Sequence, residues 1–280
     1  MARIRDFLAL TKPRVVLMVL VTTAVGFYLA AAGPPDWPRL VLTLLGTALA
    51  AGGTVALNQY LEREVDALME RTRQRPLPQG RLRPAEALWF GAAITVAGLL
   101  VLLSVGPLAA LVTAATVGLY LFAYTPLKRR SPLCLAVGAA SGALPPLTGW
   151  VAARGEFGAG AGVLFGILFL WQLPHTLAIA RLHQDDYARG GIRLLPDSRA
   201  GAEAQALAGS SGLLLLGLFP TLLGLTGQLY LFGALALGAL LLGCGALEAC
   251  RPSRAAARRL LRASLLYLPV LLILMTLDKA

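Results

Sequence analysis

Nine apolar runs shape this chain, at residues 14–32, 39–57, 85–104, 107–124, 133–153, 159–180, 206–225, 229–249 and 261–277. Each approaches the roughly 20 residues a helix needs to cross the hydrocarbon core of a bilayer. The breaks near Gly106-Pro107 and Thr226-Gly227 are the weakest boundaries, so eight helices is the alternative count. Composition agrees with a membrane chain. Hydrophobic residues make up 57% of 280 and charged residues 14%, against about 25% charge in soluble domains. The expected fold is an all-α polytopic membrane protein of about nine transmembrane helices, in a single domain over residues 1–280.

Charge then sets the orientation. With nine spans and a cytoplasmic N-terminus, every one of the 25 basic residues falls on the inside except Arg39, Arg154 and Lys279. That asymmetry is the positive-inside rule at full strength. It also accounts for the net charge of +11, since a basic face beside anionic lipid requires no nucleic-acid partner. The N-terminal basic residues, apolar run and Leu29-Ala30-Ala31-Ala32 resemble a secretory signal, but the run is long and Lys12-Pro13-Arg14 abuts it, so a retained first helix is expected. Cys134, Cys244 and Cys250 sit in or at the ends of helices without metal-ligand spacing and suit apolar packing.

The two longest inner loops, 58–84 and 181–205, carry Glu62, Glu64, Asp66, Glu70, Asp185, Asp186, Asp197 and Glu203, the larger share of the chain's 14 acids. They follow the second and sixth spans, which hints at a duplicated four-helix unit. In the first loop, helical spacing puts Asn58, Glu62 and Asp66 at i, i+4 and i+8, so three oxygen-bearing side chains line one face over roughly 12 Å. Such a row suits Mg²⁺, which takes one or two carboxylates and completes its shell with water and phosphate oxygens. Arg71, Arg73 and Arg75 follow at once, and guanidinium offers phosphate a planar fork of donors. The competing reading is a solvated turn; a polar Asn inside an apolar run argues against it.

Two further clusters lie on the same side. Tyr124-Thr125-Pro126-Leu127-Lys128-Arg129-Arg130 follows the fourth span, and Lys128 is either a point-charge partner for phosphate or a topological anchor. Trp171-Gln172-Leu173-Pro174-His175 lies within the sixth span and leads to Arg181, His183, Asp185, Asp186 and Tyr187. An intramembrane His175 is a functional candidate by default, as a metal or haem-iron ligand, with a hydrogen-bonded core histidine as the alternative. The span at 133–153 carries Gly138, Gly142, Pro145, Pro146 and Gly149, and reads equally as a wall bending around a bulky ligand or as close helix packing.

The run from Asn58 through Asp66 to Arg71-Thr72-Arg73-Gln74-Arg75-Pro76-Leu77-Pro78 resembles the first signature of the UbiA-type intramembrane prenyltransferases. Its arginine-rich continuation is similar to that of the protohaem IX farnesyltransferases, or haem O synthases. Tyr124 with Lys128, the Gly-Ala-Leu-Pro-Pro core between Gly138 and Trp150, and Trp171-Gln172-Leu173-Pro174-His175 leading to Asp185-Asp186-Tyr187-Ala188-Arg189-Gly190-Gly191 and Leu195-Pro196 extend the likeness over about residues 8–200. The resemblance implies helices bundled around a central cavity open to the cytoplasmic side of a bacterial inner membrane. It implies farnesyl diphosphate and haem B as substrates and Mg as cofactor, held by Asn58, Glu62 and Asp66 with Asp185 or Asp186. Arg71, Arg75, Lys128 and Tyr124 would bind the diphosphate, and His175 would lie near the porphyrin. Haem A synthase or a terminal-oxidase assembly is the implied recipient of the product.

Two positions depart from the family pattern. Glu62 replaces the usual middle Asp, which adds one methylene to that ligand but keeps a hard oxygen. The second Asp-x-x-x-Asp motif of the wider superfamily is thinned: counting back four from Asp185 or Asp186 gives Arg181 or Leu182. Within the fold, the alternative is a prenyltransferase acting on a quinone or another aromatic acceptor. A transporter, from a different class, would carry polar groups at mid-membrane and at an outer gate; here they crowd the inner surface.

Overall fold

Continuous apolar runs can satisfy their own backbone polar groups in lipid only as helices, and nine of them do so among the described residues of the computed structural model. They are α1 (Pro13–Ala30), α2 (Trp37–Leu61), α3 (Pro84–Val105), α4 (Pro107–Leu127), α5 (Cys134–Arg154), α6 (Ala159–Leu182), α7 (Ala200–Leu222), α8 (Gln228–Cys250) and α9 (Arg254–Leu277). The structure describes residues 2–194 and 198–280. Leu195 and Pro196, which extend one of the motifs above, and the loop acid Asp197 lie outside the described residues, as does the side chain of Arg199. The doubtful boundary at Gly106 is a real break, since Gly106 caps α3 and Pro107 opens α4. Thr226 and Gly227 lie between α7 and α8, where Thr226 bridges to Lys279.

The helices form a closed ring. α1 packs on α2, α5 and α9; α2 lies along α3; α5 leads to α6; and α6 to α9 make a second four-helix group. With lipid as apolar as leucine, helices hold together by close backbone approach. Gly149 on α5 allows this against α1, because a Cβ there would overlap the Thr23 carbonyl. Gly98 on α3 does the same against Ala50 of α2. Side chains such as Leu100, Phe122, Phe232 and Ile273 face outward, as a lipid-facing surface requires.

The three basic residues set apart by the charge count all serve helix ends. Arg39 donates from Nε to Ala152 O (2.5 Å) and from Nη2 to Val105 O (2.9 Å), near the C-termini of α5 and α3. Lys279 Nζ donates to Tyr28 O and Ala31 O, each at 2.7 Å, at the end of α1. The Arg154 guanidinium sits 5.7 Å from the Trp150 ring in the last turn of α5. Cations suit these carbonyl-rich termini.

Two irregularities position the site. α5 breaks at Leu144, where Pro145 and Pro146 supply no N–H, so its first half faces the bundle interior while its second packs on α1. α4 widens into a π-helical turn over Leu119–Tyr124. Pro126 lacks the N–H that would return an α-helical bond to Phe122, which gives this turn its physical cause.

Candidate active site

The site begins where α2 ends. The expected stripe of Asn58, Glu62 and Asp66 is not one continuous helix: α2 stops at Leu61, Glu62 takes a non-helical conformation (φ −98°, ψ 8°), and a short helix follows at Arg63–Leu68. The i+4 register survives the break, because Glu62 N bonds Asn58 O (2.9 Å) and Asp66 N bonds Glu62 O (2.8 Å). Each acid has its own cation. Lys128 Nζ donates to both Glu62 oxygens at 2.9 and 3.1 Å, and Arg75 Nη1 donates to Asp66 Oδ2 at 2.6 Å. Asn58 and Asp66 are each 1% exposed.

The widened turn of α4 supplies the opposite wall. Thr125 donates its single hydroxyl proton to Tyr120 O (2.8 Å), so it can only accept from Asn58 Nδ2 (3.0 Å). This fixes the Asn58 amide and turns its oxygen away from Thr125. Lys128 also lies 4.4 Å from the centre of the Tyr124 ring. Burial works against the Lys128 ammonium, but the oxygens of Tyr124 and Tyr120 and the Glu62 carboxylate outweigh it and raise its pKa above the ordinary lysine value.

The second motif meets the first through Asp186 rather than through a metal-ready pair. Asp186 is buried, and its oxygens accept the backbone N–H groups of Glu70 (3.0 Å) and Arg71 (3.3 Å) and Arg189 Nη2 (2.6 Å). The Arg189 bond and these two amides hold its pKa below the usual carboxylate value, although burial opposes them. Asp185 is exposed, with Arg254 at 3.5 Å. Arg71 is exposed and lies 5.9 Å from the Tyr187 ring, and His183 is an exposed end-cap of α6. Among the described residues no three His, Cys, Asp or Glu side chains converge as a metal cluster by themselves.

An apolar cavity of about 250 Å³ lies between α1, α2, α4, α5 and α6. Val15, Val19, Thr54, Tyr120, Tyr124 and Gly138 contribute to its walls, and its Tyr124 end meets the Glu62–Lys128 pair. From α6, Gln172 and Thr176 face this cavity, whereas His175 points toward α9. Its Nδ1 lies 2.9 Å from Ser264 Oγ, and its ring stacks on Trp171 with centroids 4.5 Å apart. Ser264 Oγ also lies 2.8 Å from Leu261 O, so its proton goes either to that carbonyl or to Nδ1, and the His175 tautomer follows from which.

Two features escaped the sequence reading. Lys12 sits at the cavity end of α1 in the left-handed conformation (φ 45°), the sole positive φ outside glycine among the described residues. Burial, then Arg75 and Lys128, lower its pKa to about 8, with Asp66 and Glu62 opposing. In the sequence it looked like a membrane anchor. The second is a buried pair between α6 and α8, Arg181 Nε to Glu248 Oε1 at 3.4 Å, with Glu248 1% exposed. An acid standing alone near the end of an apolar span was the available signal.

The chain matches the model of the UbiA prenyltransferase family over residues 19–268. It is 44% identical over 289 residues to the protoheme IX farnesyltransferase of Solibacter usitatus, covering 98% of this chain and 99% of that one. It is 39% identical to the protein of the same name from Symbiobacterium thermophilum, covering 98% and 94%. Among solved structures, a digeranylgeranylglyceryl phosphate synthase superposes with a TM-score of 0.83 at 17% identity, covering 99% of each chain. A UbiA homolog from Archaeoglobus fulgidus, bound to GPP and Mg²⁺, superposes at 0.67 with 16% identity, covering 97% of this chain and 99% of that one. At such identities the structural likeness speaks for the fold alone.

Proposed function

The chain belongs to the UbiA prenyltransferase family, and we propose that it transfers a farnesyl group from farnesyl diphosphate to a vinyl group of haem B, adding water, to give haem O and diphosphate. The reaction takes place at the cytoplasmic side of a bacterial inner membrane, with the N-terminus on that side. The observation that carries the site assignment is the pairing of two acids with two cations, Glu62 with Lys128 and Asp66 with Arg75, at the mouth of an apolar cavity. The acceptor assignment rests on the full-length relatives called protoheme IX farnesyltransferase.

The donor set fits Mg²⁺. The Asn58 amide oxygen and the Glu62 and Asp66 carboxylates are hard oxygens, and two carboxylates leave the remaining positions to water and phosphate. When bound, the metal neutralises charge on the diphosphate and makes it a better leaving group. The Asp186 carboxylate accepts the Glu70 and Arg71 amides and Arg189, and so ties the Glu70-Arg71 segment to the second acidic motif. Asp185 and Asp186 are the candidates for any second metal.

The chemistry asked of the protein is electrostatic. Lys128 and Arg75 stabilise the negative charge that grows as the C–O bond of the allylic diphosphate breaks and its electron pair leaves with the phosphate. Tyr124 holds Lys128 beside the cavity, and Arg71, exposed and 5.9 Å from the Tyr187 ring, is the further arginine proposed for the diphosphate. The apolar walls keep water from the allylic cation until the vinyl π-electrons of the acceptor attack it. Water then captures the new cation on the vinyl carbon and loses a proton, giving a hydroxyethylfarnesyl side chain. The cavity is small beside typical ligand pockets of roughly 300–1,000 Å³, which suits a prenyl tail rather than tail and macrocycle together. His175, which faces α9 rather than the cavity, is the residue proposed for the acceptor side.

The purified protein in detergent, given haem B, farnesyl diphosphate and Mg²⁺, is expected to yield haem whose mass has risen by farnesyl plus hydroxyl, and EDTA is expected to abolish the gain. Unchanged haem from protein that still binds diphosphate in a Mg²⁺-dependent way would move the acceptor to a quinone or other aromatic. Lys128→Arg is expected to lower kcat about tenfold or more in the same assay, because a wide fork replaces a compact charge held by both Glu62 oxygens and the Tyr124 ring. Full activity in that variant would reduce Lys128 to a topological anchor.

A further inference from the structure

We propose that the short helix ahead of α1, Ala2–Leu10, lies in the head-group interface of the bilayer and steadies the basic loop that carries Arg75. Ile4 and Leu8 seat in acyl chain and Arg5 meets anionic phospholipid; this lipid contact is independent of the reaction proposed above. At 3.6 residues per turn the side chains of the helix sort into four strips. Phe7 and Leu10 turn to the protein: the Phe7 ring centre lies 5.0 Å from that of Phe90, and buried Leu10 packs with Ala56, Leu77 and Leu82. Arg3 and Asp6 flank that strip and pair with Glu86 and Arg81. Ile4 and Leu8, one turn apart on the next strip, are 74% and 57% exposed. Arg5 and Ala9 stand on the far side, both exposed.

A single exposed leucine means little on a soluble surface. Here the apolar strip continues the lipid-facing side of the bundle. Along the chain it leads to exposed Leu17 and Met18 of α1, and next to Phe90 the Trp89 ring is exposed as well, in the manner of the aromatic residues that gather at a membrane surface. Nine residues cannot span a bilayer. A short helix with an apolar strip beside a basic one lies in the plane of the interface, its apolar side at the acyl boundary and its cations at anionic head groups. The Thr11-Lys12 connection to α1 leaves it no other depth.

The seat reaches the basic loop through named contacts. Arg81 Nη1 lies 3.5 Å from Asp6 Oδ1, and Arg81 Nη2 donates to Gln74 O at 3.0 Å. The next residue is Arg75, which holds Asp66. Glu86, besides pairing with Arg3, accepts Arg83 N at 2.9 Å where the loop enters α3. On the other side, Gln59 of α2 donates to Leu10 O at 2.7 Å. The helix thus fastens the loop to the ends of both helices that it joins. Ion pairs as exposed as these contribute little alone. They hold the loop only while the helix itself is held, by Phe7 and Leu10 on one strip and by lipid on the other.

The test uses the full-length protein in vesicles of phosphatidylcholine with phosphatidylglycerol. Nitroxide labels are placed singly at Leu8→Cys and Arg5→Cys in a Cys244→Ser, Cys250→Ser background, which leaves only buried Cys134. Power saturation is expected to show the Leu8 label open to oxygen and closed to a nickel chelate, and the Arg5 label open to the chelate. Chelate access at both would put the helix in water and overturn the seat. A Leu8 label shielded from both reagents would overturn it too, by showing that protein, such as a second copy, covers this face. Hydrogen exchange over residues 71–83 reads the link to the loop. The double variant Ile4→Ser, Leu8→Ser is expected to exchange there about tenfold faster or more, as a locally released segment does, with α8 unchanged as proof that the bundle stays folded. Ile4→Leu with Leu8→Ile is expected to keep the parental rate. A serine variant that exchanges no faster would overturn the link. In phosphatidylcholine alone the parent loop is expected to exchange about fivefold faster, the scale of one arginine at an anionic surface; an equal rate would overturn the anionic head-group contact.

Discussion

Asp66→Asn is expected to lower kcat by about 10²–10³-fold or more, the scale seen when one preorganised electrostatic contact to a transition state is removed, while the protein stays folded and inserted. The amide is the informative substitution. Asp66 is 1% exposed and bonded to Arg75 at 2.6 Å, so alanine would strand Arg75 and confuse lost chemistry with lost structure. Asparagine keeps an oxygen for the guanidinium and preserves the size of the group. The Thr72 hydroxyl, bonded to the Asp66 carbonyl at 2.8 Å, still holds the loop. What disappears is one negative charge among the oxygens proposed for Mg²⁺. Apparent Mg²⁺ affinity in a turnover titration is expected to fall with kcat, and melting in detergent confirms the fold. Parental turnover with an unchanged Mg²⁺ requirement would remove Asp66 from the metal site.

The nine helices were legible because each span is long, apolar and bounded by charge, and lipid leaves such a segment one solution. The boundaries slipped where a helix outlasts its apolar run. α9 begins at Arg254 rather than near residue 261, since Ser253 caps it and Ala256, Ala257 and Leu260 turn inward while Arg258, Arg259 and Arg262 remain exposed. Hydropathy averages that amphipathic turn away, although its period of 3.6 was there to read. At the site, Asn58, Glu62 and Asp66 were visible through their spacing, but the break at Glu62 was not, because the i+4 register persists on both sides of it. Asp186 was legible as an acid near the site, not as the residue that takes Glu70 N and Arg71 N; those bonds join positions 116 and 115 residues apart. Lys12 was hidden for a similar reason. Beside Pro13 and Arg14 it has the composition of an anchor, and only the left-handed turn and the neighbourhood of Arg75 and Lys128 set it apart.

Glu248→Ala is expected to destabilise the protein by about 3–5 kcal/mol, the usual cost of breaking a buried ion pair by removing one member. Glu248 stands at the end of α8 and Arg181 at the end of α6, just as Glu62 follows α2 and Lys128 follows α4. The two pairs thus occupy corresponding places four spans apart with their signs exchanged. Their surroundings differ. The Glu62–Lys128 pair borders the cavity at full hydrogen-bond geometry. The Arg181–Glu248 contact is 3.4 Å long, and both carboxylate oxygens and the Arg181 Nε and Nη2 are buried without a well-aligned hydrogen bond. The Glu248 carboxylate, 1% exposed, has no phosphate to serve. The two charges offset one another, and Glu248→Ala would remove the carboxylate that faces the Arg181 guanidinium. Adding Arg181→Met is therefore expected to restore most of the lost stability, because a matched apolar pair often equals a buried ionic one, and to leave KM for farnesyl diphosphate near the parental value. Thermal melting and turnover of the two variants measure this. A double variant that melts as low as Glu248→Ala would show that Arg181 has a partner or a task beyond this latch.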